Sequence, residues 1–211
     1  MKLGMIFFVA VLLIASCIAG GLQSYLITTS NADVELQEKG KRVPPFSFTA
    51  SSGGFFSNNE LADKWTLFFI GYTFCPDICP TTLADLDRIY PKLVEAQGSQ
   101  TQIVFISVDP NRDKAAHLAD YIHYFNPNFI ALSSTHEQLI PFTQALGLVY
   151  SIVDEGYEGP FYLIDHSASL VLINPNGEHH ATFKAGVNEQ GIAHVDMDAM
   201  VDHIHRFQQQ W

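Results

Sequence analysis

From Trp65 to Ile70 the chain is apolar apart from Thr66, over the length of a buried strand, and the segment after it changes period. Leu83, Leu86, Ile89, Tyr90, Leu93 and Val94 recur at three- and four-residue spacing, which predicts a helix from about Thr81 to Ala96. Gln102 to Val108 predicts a second buried strand, ended by Asp109-Pro110, and Arg112 to Phe125 predicts a helix stopped by Asn126-Pro127. A short strand follows at Phe129 to Leu132, then a helix from His136 to Leu146 with Thr135 as its N-cap. Val149 to Val153 and Phe161 to Ile164 flank an acidic, glycine-containing loop, Asp154 to Gly159. Ser169 to Ile173, the turn Asn174-Pro175-Asn176-Gly177 and His180 to Phe183 form a hairpin pattern, and Asn188 to Gln210 reads as a closing helix. Ahead of the first long strand, Phe46 to Phe56 reads as a hairpin turned at Ser51 to Gly54.

Strand, helix, strand, helix, then a hairpin and a last helix is the order of an α/β sandwich in the thioredoxin style. The N-terminal pattern is different in kind. No charge stands between Lys2 and Asp33, and Leu3 to Leu22 is long and apolar enough to span a bilayer. The expected organisation is a membrane anchor over 1–29, a polar linker over 30–43 and a globular domain over 44–211. Ile14-Ala15-Ser16-Cys17 also resembles a lipoprotein cleavage box, in which Cys17 would carry the lipid. Either arrangement tethers the domain to a membrane, and Lys2 on the inner side directs it outward into an oxidising space.

Charge narrows the partners. The 22 acidic residues outnumber the 11 basic ones for a net charge of -11, and the basic residues form no run longer than Lys39 to Arg42, which argues against nucleic acid. Of three cysteines, Cys17 lies in the apolar N-terminal segment, leaving Cys75 and Cys79 as one close pair. One pair is too few for a disulfide framework or a four-cysteine zinc site.

The pair sits where the strand Trp65 to Ile70 feeds the helix. With Cys79 in the first helical turn, four-residue spacing places both sulfurs on one face, and the helix start favours thiolate over thiol. Such a pair closes into a disulfide or grips a soft metal ion, depending on a third ligand. Nine histidines compete for that role. His117, His123, His136, His179, His180, His194, His203 and His205 fall on polar helix faces, turns or the C-terminal segment and read as surface residues. His166 lies in Tyr162-Leu163-Ile164-Asp165-His166-Ser167-Ala168, where an imidazole among apolar neighbours is a metal-ligand candidate.

Gly71-Tyr72-Thr73-Phe74-Cys75-Pro76-Asp77-Ile78-Cys79-Pro80, Ser107-Val108-Asp109-Pro110 with Arg112-Asp113, and Asp165-His166-Ser167 together resemble the signature of the Sco/SenC family of membrane-tethered copper proteins, from about Pro44 to Phe207. The departures are Asp63-Lys64-Trp65, where Gly-Lys-Trp is usual, and Lys114, where a threonine often stands. The resemblance implies a thioredoxin-like fold and one copper ion held by Cys75, Cys79 and His166. It also implies a metallochaperone that helps assemble the dinuclear copper centre of cytochrome c oxidase subunit II, with other copper chaperones as further partners. The expected location is the bacterial inner membrane, with the domain in the periplasm.

Two thiolates suit Cu(I) and an imidazole also accommodates Cu(II), so one site can serve both states. Asp77 and Asp109 are candidates for contacts behind the ligands or for a docking surface; the alternatives are a carboxylate at a helix start and a cap before Pro110. The competing activity is a thiol–disulfide reductase using Cys75 and Cys79 to keep the oxidase subunit's cysteines reduced. A peroxidase would draw on Thr73 and Arg112, but the proline expected before that threonine is missing.

Overall fold

The computed structural model describes residues 34–37, 41–95, 100–153, 162–187 and 191–211. Its strands are β1 (Val34–Leu36), β2 (Ser47–Ala50), β3 (Phe55–Ser57), β4 (Lys64–Gly71), β5 (Gln100–Ser107) and β6 (Ile130–Ser133), followed by β7 (Tyr150–Val153), β8 (Leu163–His166), β9 (Leu170–Ile173), β10 (His179–Phe183), β11 (Gly186–Val187) and β12 (Ala193–His194). The helices are α1 (Ile78–Glu95), α2 (Ala115–Phe125), α3 (His136–Ala145) and α4 (Met197–Gln209).

Eight strands form one mixed sheet in the order β1-β10-β9-β4-β5-β6-β2-β3. β4, β5 and β6 run parallel in its middle, with Gly71 level with Ser107, and β9 lies antiparallel to β4. The apolar run in β4 follows from this central position, because both faces are covered. Trp65, Leu67 and Phe69 join α1, α2 and α4 in one core. Phe68 and Ile70 join α3 and the aromatic residues Phe48 and Phe56 in the other. Alternate side chains of a strand point to opposite faces, so a strand buried twice carries no polar side. On α1, Cys79, Leu83, Leu86, Ile89 and Leu93 make the buried stripe.

The α/β sandwich with a thioredoxin-like core stands, with differences in detail. The stretch read as linker contributes β1, which pairs with β10 (Val34 opposite Phe183) at the edge of the sheet. Three residues with exposed Glu35 and Leu36 carry too little apolar signal to stand out from a polar tether. The closing helix is shorter than predicted: β11 and β12 form a small hairpin, Gly191 has φ of 80°, and α4 starts at Met197. Asp196 stops the helix extending backwards, its carboxylate accepting the Ala199 N–H at 2.9 Å as an N-cap. His179, read as a surface residue, is 3% exposed and lies 2.9 Å from the Thr182 hydroxyl through Nε2. The anchor predicted over 1–29, with Cys17, lies outside the described residues, and so does the acidic loop over 154–159. Among the described residues no helix is long and apolar enough to cross a membrane.

Candidate metal centre

β4 ends at Gly71 and α1 begins at Ile78, so the cysteine turn lies at the carboxyl end of the central parallel strand, a place where α/β sheets commonly hold ligands. Gly71 is required by contact: a Cβ there would lie 2.6 Å from Cys79 Sγ and 2.8 Å from the Phe105 ring. After it, Tyr72 C=O accepts the Cys75 N–H at 3.2 Å, and Asp77 C=O accepts the Thr81 N–H at 3.2 Å to open the helix. Cys79 therefore does fall in the first helical turn, and its N–H points at Cys75 Sγ at 3.5 Å.

His166 arrives from a different part of the fold. It ends β8, which pairs with β7 in a two-stranded ribbon outside the main sheet, with His166 opposite Tyr150. Its Nε2 is 3.3 Å from Cys79 Sγ. Cys75, Cys79 and His166 offer ligand atoms that all lie within 4.8 Å of one another, and among the described residues they are the one such group. Nδ1 of His166 lies 3.2 Å from the Ser167 carbonyl, which can only accept. The proton thus belongs on Nδ1, and the Nε2 lone pair faces the sulfurs, the tautomer a metal ligand needs.

Both cysteines are free thiols, Cys79 buried and Cys75 partly exposed. They titrate as an unequal pair. The hydrogen bond from the Cys79 thiol lowers the Cys75 pKa to about 4, helped by the backbone N–H groups of Asp77 and Cys79. Burial, then the neighbouring Cys75 sulfur, pushes Cys79 well up. One proton shared between two sulfurs leaves the accessible Cys75 as the thiolate.

Around this trio, two carboxylates fasten the turn. Asp113, 2% exposed, accepts the Thr73 N–H at 3.0 Å, the Thr73 hydroxyl at 2.5 Å and the Ser107 hydroxyl at 2.6 Å. Asp109, 1% exposed, pairs with the Arg112 guanidinium and accepts the Tyr162 hydroxyl at 2.6 Å. Arg112 also donates to the Tyr162 carbonyl at 2.8 Å and lies 3.7 Å from the Tyr162 ring centroid and 4.9 Å from that of Phe74. Asp109 thus joins the turn after β5 to the chain entering β8, and its burial removes it from any docking surface. Asp77 is exposed, and what it contributes to the sulfurs is its backbone N–H. Thr73 and Arg112 are committed to these carboxylates, away from the role a peroxidase would give them. Tyr72 and Asp113 stand inside the quoted motifs, but the sequence assigned neither a role of its own. The available signals were a tyrosine directly after a buried strand, whose hydroxyl needs a partner, and an acid inside the Asp109-Pro110 motif.

A groove of about 710 Å³ lies at the other end of α1, lined by Lys92, Glu95, Asp198 and His205 among others, and brings no comparable set of donors together.

Comparison with known proteins agrees with this geometry. The family model described as SCO1/SenC matches residues 34–201. A Stutzerimonas stutzeri protein whose name describes copper binding is 34% identical over 164 residues, covering 78% of this chain and 79% of that one. An SCO2-like protein of Rickettsia prowazekii is 32% identical over 156 residues, covering 74% and 76%. Among solved structures, Arabidopsis thaliana ScoI with copper bound superposes with a TM-score of 0.68 at 30% identity, covering 79% of this chain and 98% of that one. Yeast Sco1 with copper bound gives 0.69 at 26% identity, covering 81% and 90%.

Proposed function

We propose that this chain, which belongs to the SCO1/SenC family, binds one copper ion through Cys75, Cys79 and His166 and hands it on during assembly of the dinuclear copper centre in cytochrome c oxidase subunit II. The observation that carries the reading is the meeting of two sulfurs and an imidazole nitrogen, all within 4.8 Å, at one strand-to-helix turn. The donor set fits the ion. Thiolates suit Cu(I), imidazole accommodates Cu(II), and no fourth histidine, cysteine or carboxylate of the described residues completes a tetrahedral zinc site. Copper there supplies a soft, exchangeable cargo, and the protein supplies a thiolate already formed at Cys75 and a lone pair already turned inward at His166. Three ligands leave the ion open to a competing donor, which suits delivery and requires no turnover of a substrate.

The proposed setting is the bacterial inner membrane, with the domain held in the periplasm by the apolar N-terminal segment and copper received from other copper chaperones. That reading is supported by the uncharged stretch from Leu3 to Ala32. The test is to reduce the protein, titrate with Cu(II) and follow thiolate-to-copper absorption. Saturation at one ion per chain, lost on Cys75→Ser or Cys79→Ser and altered on His166→Ala, is expected. Saturation unaffected by all three substitutions overturns the site.

One observation favours a second activity, thiol–disulfide exchange with the oxidase subunit. The pKa of Cys75 is held at about 4 while Cys79 keeps its proton, the asymmetry of an attacking and a resolving thiol. His166 separates the two, since thiol exchange does not need it. Full reductase activity in a His166→Ala protein that no longer holds Cu(II) would assign the cysteines a redox role of their own.

A further inference from the structure

His166 is carried by a ribbon that the main sheet does not hold. β8 hydrogen-bonds to β7 and to no strand of the eight-stranded sheet. A two-stranded ribbon is marginal alone, so the place of His166 relative to the sulfurs is set by whatever pins the ribbon to the body. Several contacts do so. The His136 Nδ1 lies 2.9 Å from the Tyr150 hydroxyl, Arg112 donates to the Tyr162 carbonyl at 2.8 Å, and Ile164 is buried in the core. These reach the ribbon from α3, from the turn after β5 and from the core.

Tyr72 differs from them because it belongs to the cysteine turn. Its hydroxyl accepts the Ile164 N–H at 3.3 Å, two residues before His166, in a buried setting. Its ring meets the His166 imidazole edge-on, 6.0 Å between centroids and 89° between planes. Its carbonyl accepts the Cys75 N–H. One residue, 2% exposed, thus touches the segment of the first thiol and both the strand and the ring of the histidine.

We infer that Tyr72 is the positioning residue that locks the histidine ribbon to the cysteine turn, through its hydroxyl on Ile164 and its ring on His166. This rests on the copper reading above and adds a consequence to it. Two thiolates retain Cu(I) with little help, whereas Cu(II) depends on the imidazole. Loosening the ribbon therefore weakens one oxidation state selectively, and the Tyr72 hydroxyl sets how far apart the two affinities stand.

Tyr72→Phe tests this in the full chain, because it keeps the ring and removes the acceptor. In the reduced, metal-free protein, exchange of the Ile164 amide with solvent should speed up by about tenfold, the usual consequence of leaving one buried donor unpaired. Competition with chelators should show Cu(II) held about tenfold more weakly, by the same loss, while Cu(I) affinity changes by less than about twofold. The Cu(II) absorption should shift toward that of His166→Ala. Unchanged Ile164 exchange, equal losses for both oxidation states, or no loss in either would each overturn the inference and leave the copper reading intact. Failure of the unsubstituted protein to take up copper would overturn the copper reading, and this inference with it.

Discussion

The Nε2 atom of His166 lies 3.3 Å from the Sγ atom of Cys79, although 87 positions separate them in the chain. Cys79 is fixed by a helix start on the central strand, and His166 by a ribbon folded over the end of that strand. The contact links a rigid element to one held by side chains, so the two halves of the site respond differently to substitution.

The sulfurs should react unequally. In the reduced, metal-free protein, alkylation at pH 6 is expected at Cys75 and not at buried Cys79, read by peptide mass. The rate at Cys75 should rise with pH through a midpoint near its lowered pKa of about 4. In Cys79→Ala the strongest stabiliser of that thiolate is removed, so the midpoint should move up toward the ordinary thiol range.

Gly71→Ala should damage the site without touching a ligand. The added Cβ would lie 2.6 Å from Cys79 Sγ and 2.8 Å from Phe105, atoms that are both buried. Overpacking of this kind costs about 1–3 kcal/mol. A lowered denaturation midpoint together with weakened binding of both Cu(I) and Cu(II) is the expected result, in contrast to the selective loss expected at Tyr72.

Removing the Asp113 carboxylate should loosen the turn. Asp113→Ala leaves the Ser107 hydroxyl and the Thr73 N–H without their acceptor, which costs about 2 kcal/mol. Urea unfolding should show the midpoint falling with the slope unchanged, since the surface exposed on unfolding stays the same.

Acid sensitivity should trace in part to His179, remote from the cysteines in the strand order. Burial, reinforced by Lys41, lowers its pKa from 6.5 to about 4. A folded-state value below the unfolded one means that its contribution is complete above pH 6.5 and disappears as pH falls through 4. His179→Gln should flatten the dependence of unfolding free energy on pH across that window. An unchanged profile would place the acid sensitivity elsewhere.

Much of the fold was readable because its signals are local. Trp65 to Ile70 and the stripe from Leu83 to Leu93 mark β4 and α1 within a few residues of their observed ends. Where those signals are weak, the structure departs from the pattern. β1, β11 and β12 are two or three residues long, too short to show a period, and each takes its conformation from a partner strand. The residues Arg112 to Lys114, read as the opening of α2, are drawn instead into the turn by Asp109 and Asp113. His179 follows a polar turn and gave no hint of burial, because β1 and β9 flank its strand on both sides. The three candidate ligands were legible as residue types in their contexts. The roles of Asp109 and Tyr72 were not, since each depends on a partner far away in the chain.

Residue order alone was enough to specify the central strand, the helix that follows it and a thiol pair at their junction, because each is set by neighbours within a turn or two. Folding in three dimensions decided that the imidazole at 166 faces those thiols with its lone pair inward, and that Cys75 carries the charge while Cys79 keeps the proton. Those outcomes depend on burial and on contacts between distant segments, and no local window of the chain contains either.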